Sequence, residues 1–335
     1  MEFFGLVNNL IANVPKRSQD IIRKRFGLME DKGQTLEQIG EAYGITRERV
    51  RQIVADVLKN IAARSDSLDY KKLEDKLVFT IEQNNGIIKE DDIVRKFNLD
   101  GAREANAIRF FAQCSKRIVS VFEKGVIEKS WALSRDILAD IMKTSQEAEK
   151  LLLKAKKPLT GEEISRELAN SSGFSREKLL SFLTVLRKIQ KNKFGKWGMA
   201  FWNEINPKGT REKIFLILKE TGAPLHFTEI AKLIDKYGLG KRNAHPQTVH
   251  NELIKDQRFV LIGRGTYAIG DWGYSEGTIK EVLKDILEKS EKPLPKEEIL
   301  EKVFKIRKVK KTTVMINLNN SKIFEKHNNL YSVKK

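Results

Sequence analysis

The 335-residue chain has very little of the chemistry that disulfides and metal sites require. Its one cysteine, Cys114, cannot form an internal disulfide or a cysteine zinc site. The histidines are scattered without metal-ligand spacing, and they are His226, His245, His250 and His327. We therefore expect a metal-free chain in a reducing compartment.

Enzyme signatures are also missing. The sequence contains no GxxxxGKS/T phosphate loop, no HExxH helix and no nucleophile elbow. Acidic pairs such as Glu162 with Glu163, or Glu297 with Glu298, fall at the start of helix patterns, where interaction with the helix dipole accounts for them. We predict a protein that is not an enzyme, with no cofactor and no small-molecule substrate. A metal-dependent nuclease with a divergent site stays open as an alternative, although no residues specifically indicate one.

Long hydrophobic runs are absent as well. The opening stretch MEFFGLVNNLIANV has no basic segment, is interrupted by Asn8, Asn9 and Asn13, and is too short to span a bilayer. We expect neither export nor a membrane partner.

What the chain does have is positive charge, with a formal net charge of +18 and a pI near 9.7. Such a field attracts polyanions, so nucleic acid is the leading partner. The net charge is +3 over residues 1–64, 0 over 65–144, +6 over 145–208, +3 over 209–274 and +6 over 275–335. The neutral segment is the poorest DNA-binding candidate and the best candidate for a spacer or a protein contact.

Four segments after residue 64 repeat one pattern, and each opens on PLxxxEI or a degenerate copy of it. The copies start at Ile87, Pro158, Pro224 and Pro293, at intervals of 71, 66 and 69 residues. Each copy closes on an aromatic, a small and an aliphatic residue, and the aromatics are Trp131, Trp197, Tyr267 and Tyr331. We expect these aromatics to pack into cores; base-stacking platforms are the less favoured alternative.

Between the two signatures lies a helix pattern, as in Val249, Leu253 and Ile254, followed by a hairpin-like stretch such as RFVLIGRGTYAI with its turn at Gly263 to Gly265. Three helices and a hairpin make a winged helix. The predicted fold class is therefore mainly α, with tandem helix-turn-helix and winged-helix modules and small β-hairpin wings. The predicted modules are 1–64, 65–144, 145–208, 209–274 and 275–335.

The segment TLEQIGEAYGITRERVRQIVADVLKNI, from Thr35 to Ile61, has helix-turn-helix spacing. Ile39 and Tyr43 are expected to bury the first helix, Gly44 to make the turn and Thr46 to cap the next helix. The predicted buried face of that next helix holds Val50, Ile53, Val54, Val57, Leu58 and Ile61.

The opposite face presents Arg47, Glu48, Arg51 and Gln52. Arginine forks onto guanine, glutamine pairs with adenine and glutamate accepts from cytosine, so these residues are the predicted readers of DNA bases. The alternative is a plain solvated face, which is less favoured behind a complete turn pattern.

PKRSQDIIRKRFGL followed by TLEQIGEAYGITRERVRQI resembles region 4 of primary bacterial sigma factors, over the first 64 residues. The resemblance implies that those four side chains read a −35 promoter element and that Thr46 and Arg49 contact the DNA backbone. It also implies a contact with the flap of the RNA polymerase core and a place in the bacterial cytoplasm, on the nucleoid. Because no counterpart of the other sigma regions precedes the segment, we do not expect an autonomous initiation factor.

The third repeat, over Thr221 to Gly273, resembles the HARE-HTH domain of the polymerase delta subunit and of chromatin- and restriction-associated proteins. That implies DNA binding or service in transcription complexes, without catalysis. Pro246 is placed to begin the third helix of this repeat. Possible second groove contacts are then Gln247, Thr248, His250 and Asn251, with a solvated face equally favoured.

Further basic side chains would neutralise phosphates without naming a sequence. They are Arg264 in the wing of the third repeat and the two runs Arg187, Lys188, Lys191, Lys193, Lys196 and Lys305, Arg307, Lys308, Lys310, Lys311. The function expected from all this is sequence-specific binding of promoter-like double-stranded DNA, by a transcription regulator or a sigma-like accessory. The alternatives are an RNA polymerase-binding adaptor, or the specificity subunit of a restriction or modification system.

Overall fold

The structure, a computed structural model, describes residues 3–30, 32–97, 101–274, 277–290, 292–307 and 309–334. These residues form sixteen α-helices and twelve short β-strands arranged in three-stranded antiparallel sheets, so the predicted fold class is confirmed. The chain divides into two compact units, one of residues 1–191 and 195–201, the other of residues 192–194 and 202–335.

The first unit opens with four helices, α1 Phe3–Ala12, α2 Lys16–Phe26, α3 Leu36–Tyr43 and α4 Arg47–Ala62. The first repeat follows, with α5 Leu68–Glu82, β1 Ile87–Lys89, α6 Glu90–Lys96, α7 Ala102–Cys114, β2 Val119–Glu123 and β3 Ile127–Ala132. The second repeat has α8 Ile137–Ala155, β4 Leu159–Thr160, α9 Gly161–Ser172, α10 Arg176–Val185, β5 Ile189–Lys191 and β6 Lys196–Met199.

The second unit holds the other two repeats. The third has α11 Thr210–Thr221, β7 Leu225–His226, α12 Phe227–Lys236, α13 Pro246–Lys255, β8 Phe259–Gly263, β9 Thr266–Ile269 and a 3-10 turn Gly270–Trp272. The fourth has α14 Ile279–Glu288, β10 Leu294–Pro295, α15 Lys296–Ile306, α16 Lys311–Leu318, β11 Phe324–His327 and β12 Leu330–Val333.

All four repeats use the same sheet, in which the last strand lies between the other two. The cross-strand pairs Ile88 with Trp131, Leu159 with Trp197, Leu225 with Tyr267, and Leu294 with Tyr331 join the opening signature to the closing one. The four aromatics are 3–4% exposed, so their predicted place in the cores is confirmed.

The signature acids begin helices, as expected. Glu163 forms a capping box with Thr160, because the Thr160 amide donates to Glu163 Oε2 at 2.7 Å and the Glu163 amide donates to Thr160 Oγ1 at 3.2 Å. The backbone hydrogen bond from Thr160 is the main reason that the pKa of Glu163 lies below its ordinary value. Glu297 and Glu298 likewise fall in the first turn of α15.

One hydrophobic core joins the first four helices to the first repeat. It includes Phe3 and Val7 of α1 together with Tyr70 of α5 and Phe111 of α7. Phe26 of α2 packs edge-on against Phe110, with ring centroids 4.9 Å apart. Residues 1–64 and the first repeat therefore complete each other's core.

The second repeat contacts the first through α10, which packs against β1 and β3. Asn85 Nδ2 donates to Ser181 Oγ at 2.8 Å, and the Arg187 amide donates to the Val126 carbonyl at 2.8 Å. The third helix of this repeat is thus used within the protein.

Candidate nucleic-acid interface

The turn between α3 and α4 is compact because two glycines serve it in different ways. Gly44 ends α3 in the left-handed region, at φ +62°, as predicted for the turn. Gly40, which the sequence pattern did not single out, lies so close to the next segment that a Cβ would meet the Ile45 carbonyl oxygen at 2.7 Å. Thr46 caps α4 by accepting from the Arg49 amide at 3.2 Å, so the predicted cap is confirmed.

The face of α4 that was predicted to be buried is partly so. Val50, Val57 and Ile61 are buried, whereas Ile53, Val54 and Leu58 are half-buried beside them. The first two turns of α4 carry Arg47, Glu48, Arg51 and Gln52, and all four side chains are exposed. The structure therefore brings the predicted base readers together at the amino-terminal end of one helix.

These side chains hold one another in extended conformations. Arg51 donates to both oxygens of Glu48, with Nε–Oε2 at 2.8 Å and Nη2–Oε1 at 2.7 Å. Arg49 Nη1 donates to Gln52 Oε1 at 3.1 Å. The hydrogen bond from Arg51 lowers the pKa of the Glu48 carboxyl and keeps it ionised. Exposed pairs of this kind are weak, so base edges and phosphates can replace them at little cost.

The third helices of the four repeats are not equally available. Counted from the paired wing strands, one equivalent position on them holds Phe110, Ser181, Asn251 and Ile316. Phe110 is buried against α2, and Ser181 accepts from Asn85. Asn251 is exposed, and Ile316 is 74% exposed. In the first unit, α7 and α10 thus use this face for contacts with protein.

In the third repeat, Pro246 is the first residue of α13, as predicted. Gln247, Thr248 and Asn251 are exposed, and Gln247 Nε2 donates to Asn251 Oδ1 at 3.1 Å. His250 differs from them. Its ring is half-buried, stacked on Phe227 at 4.5 Å and edge-on to Tyr267 at 5.9 Å, so packing is its main role.

Two predicted phosphate contacts of the second repeat take part in ion pairs. Arg187 Nε lies 3.0 Å from Glu128 Oε1, and Lys188 Nζ lies 3.3 Å from Glu149 Oε2. Both cations remain exposed, and pairing leaves them less free for phosphate. The other exposed members of the predicted set are Lys191, Lys193, Arg264, Lys305, Lys310 and Lys311, of which Lys305 pairs with Glu301; Lys196 is half-buried.

Arg307 requires a correction. The residue is 5% exposed, its Nη1 donates to the Leu261 carbonyl, and its Nε has no partner. Burial lowers the pKa of this guanidinium, because the charged form has lost its water. The predicted phosphate contact is therefore wrong: Arg307 joins the fourth repeat to β8 of the third. Lys308, predicted beside it, lies outside the described residues.

Across the described ranges, no three His, Cys, Asp or Glu side chains come together as a metal site would need. Cys114 is a buried free thiol in the core that α1 shares with α7. No described helix is both long enough and apolar enough to cross a bilayer.

Two segments match known families. Residues 10–63 match the family described as sigma-70, region 4, and residues 210–272 match the HARE-HTH family, described as a helix-turn-helix domain of ASXL and restriction endonucleases. The chain is also similar to the RNA polymerase sigma factor SigA of a Bacillus species, with 37% identity over 69 residues in its amino-terminal region. That alignment covers 21% of this chain and 18% of the relative.

Both matched families are DNA-binding helix-turn-helix families and not enzyme families, which supports a DNA-binding role connected with transcription. The chain thus carries a sigma-70 region 4 segment in its first unit and a HARE-HTH segment in its second.

Proposed function

We propose that this protein binds promoter-like double-stranded DNA sequence-specifically, reading a −35-like element through α4, and acts as a transcription regulator or a sigma-like accessory. The observation that carries the proposal is the group of exposed side chains on the first two turns of α4, behind a capped helix-turn-helix. Recognition helices place their amino-terminal residues on base edges in the major groove.

In this proposal Arg51 and Gln52 meet base acceptors and donors, while Thr46 and Arg49 approach the phosphates at the helix start. Glu48 holds Arg51 before binding and accepts from cytosine, or remains on Arg51, once the helix is in the groove.

The basic residues elsewhere add affinity without adding specificity. Lys191, Lys193, Arg264, Lys310 and Lys311 are exposed cations outside the sigma-like segment. Each phosphate that they neutralise releases counterions, so the logarithm of the binding constant falls with the logarithm of salt concentration in proportion to the number of contacts.

The test is salt-titrated binding to two duplexes, one with a −35-like element and one with that element scrambled. Arg51→Ala is compared with Arg166→Ala. Arg166 of α9 is a matched control, because it is 67% exposed and pairs with Glu162 one turn away, as Arg51, 61% exposed, pairs with Glu48.

We expect wild type and Arg166→Ala to prefer the element. Arg51→Ala should lose about tenfold to a hundredfold of that preference, with only a small change in salt slope. Equal and weak binding of wild type to both duplexes would remove the base-reading proposal.

In that case the protein is better described as an adaptor on RNA polymerase. The observation that favours this second candidate is the use of α7 and α10 for protein contacts. It predicts stable capture of purified bacterial core polymerase by the full chain, together with weak, sequence-blind DNA binding. An absence of capture would rule the adaptor out.

A further inference from the structure

We infer that the first winged repeat supplies a DNA-phosphate contact, Lys129, to the same duplex that α4 reads. The inference rests on the proposed function and deepens it. It gives a binding role to the repeat whose net charge is zero and whose third helix is buried.

The inference begins from a cleft between α4 and the first repeat, with a volume of about 430 Å³. One side is formed by Arg25, Arg51 and Val54, and the other by Glu90, Arg109 and Lys129. Lys129 lies on β3, so the same cleft holds a predicted base reader and a lysine from the winged repeat.

The charge balance of the cleft is positive. Its one carboxylate, Glu90, is taken up by Arg109, with Nε–Oε1 at 2.8 Å, and the second branch of Arg109 reaches Asp91 at 2.9 Å. Arg25 Nη1 donates to the Gln34 carbonyl at 2.9 Å, which leaves its charge unneutralised. Lys129 is exposed, and within the described part of the chain its side chain has no ion pair or hydrogen bond.

The position of Lys129 is fixed by neighbouring structure. Its neighbour Ser130 pairs with Lys89 of β1 and with Val121 of β2. Its other neighbour, Glu128, accepts from Arg187 of the second repeat at 3.0 Å. The core shared by α1, α4 and α7 then holds the repeat against the sigma-like segment. Lys129 is therefore carried by a braced central strand and not by a mobile loop.

The dimensions of DNA place a phosphate at this cleft. The major groove is about 12 Å wide, and an α-helix with its side chains is about 10–12 Å across, so both groove walls lie close against a helix that enters it. Arg51 faces the cleft, and the strand that passes on its side must run along the cleft mouth. A free ammonium group there meets phosphate oxygens.

The test compares Lys129→Gln, Lys129→Arg and Lys72→Gln on the same two duplexes. Lys72 is a matched control, because it is exposed, lies on α5 of the same repeat and does not line the cleft. Lys129→Gln should weaken binding to both duplexes alike and reduce the salt slope by about 0.9, the value for one lost phosphate contact. Lys129→Arg and Lys72→Gln should keep the wild-type slope.

A wild-type slope and affinity for Lys129→Gln would overturn the inference. Failure of the proposed function is read separately, from wild type alone, as a loss of preference for the element. A Lys129→Gln effect confined to one duplex would also overturn the inference, because a phosphate contact carries no base information.

Discussion

Leu225 lies directly opposite Tyr267 in the antiparallel pair of β7 and β9, and this pair fastens the helices of the third repeat to its wing. The corresponding pair recurs in the other three repeats. Two motifs that are distant in sequence are therefore one structural element: an aliphatic side chain before the second helix covered by an aromatic side chain at the end of the hairpin.

Replacing the aromatic member should destabilise its repeat strongly. Tyr267 is 3% exposed in the core of the third repeat, so Tyr267→Ala should lower the free energy of unfolding of the second unit by about 3–5 kcal/mol. Ile254→Ala is the control, since Ile254 lies on α13 of the same repeat and is 64% exposed. Urea unfolding measures both, and equal effects would contradict the assigned packing.

The two glycines of the helix-turn-helix should differ in what they tolerate. Gly40→Ala places a Cβ against the backbone oxygen of Ile45 and should cost about 1–3 kcal/mol, together with DNA binding by α4. Gly44 has open space around its Cα but a φ of +62°, so Gly44→Asn should be better tolerated than Gly44→Ala. Thermal unfolding of the three variants provides the comparison, and wild-type stability of Gly40→Ala would show that the turn is looser than described.

The capping box of α9 should make stability depend on pH in the acid range. The pKa of Glu163 is lowered in the folded protein, below the ordinary 4.5. Its contribution to stability is therefore complete above pH 4.5 and is lost as the pH falls through the lowered folded-state pKa. Glutamine can accept the same hydrogen bond without a charge, so Glu163→Gln is the matched variant.

The measurement is the free energy of unfolding of wild type and Glu163→Gln across the acid range. Their difference should be largest near neutral pH and shrink below pH 4.5. A difference that does not change with pH would mean that the charge of Glu163 does not contribute.

Arg307 should behave as a buried structural residue. Arg307→Met keeps a long apolar side chain and removes a buried charge, so the stability of the second unit should stay within about 1 kcal/mol of wild type. Arg307→Glu places a carboxylate against the Leu261 carbonyl and should cost about 3–5 kcal/mol. Arg307→Met should also keep the wild-type salt slope for DNA, and a lower slope would restore Arg307 as a phosphate contact.

Local patterns carried most of what could be predicted from the sequence. The Thr46 cap, the Gly44 turn and the start of α13 at Pro246 depend on neighbouring residues, and all three are found in the structure. The exposure of Arg47, Glu48, Arg51 and Gln52 follows from the period of one helix. The burial of the closing aromatics follows from their fixed place in each repeat.

What could not be predicted depends on which repeat touches which. Arg307 resembles the lysines around it in sequence, and only its contact with β8 distinguishes it. His250 occupies a polar position of α13, but the rings of Phe227 and Tyr267 come from other elements of the repeat. Ile254 was expected to help bury α13, yet it faces solvent, because Val249 and Leu253 alone fill that side of the core.

The core that α1 shares with α5 and α7 also has a consequence during synthesis of the chain. Phe3 and Val7 leave the ribosome first, but Tyr70 and Phe111, which cover them, are added much later. At roughly 5–20 residues per second, these apolar side chains stay uncovered for several seconds. The α4 surface is therefore finished only when the first repeat has emerged, so a prematurely terminated chain that ends near residue 64 would be a substrate for chaperones and proteases and not a small DNA-binding protein.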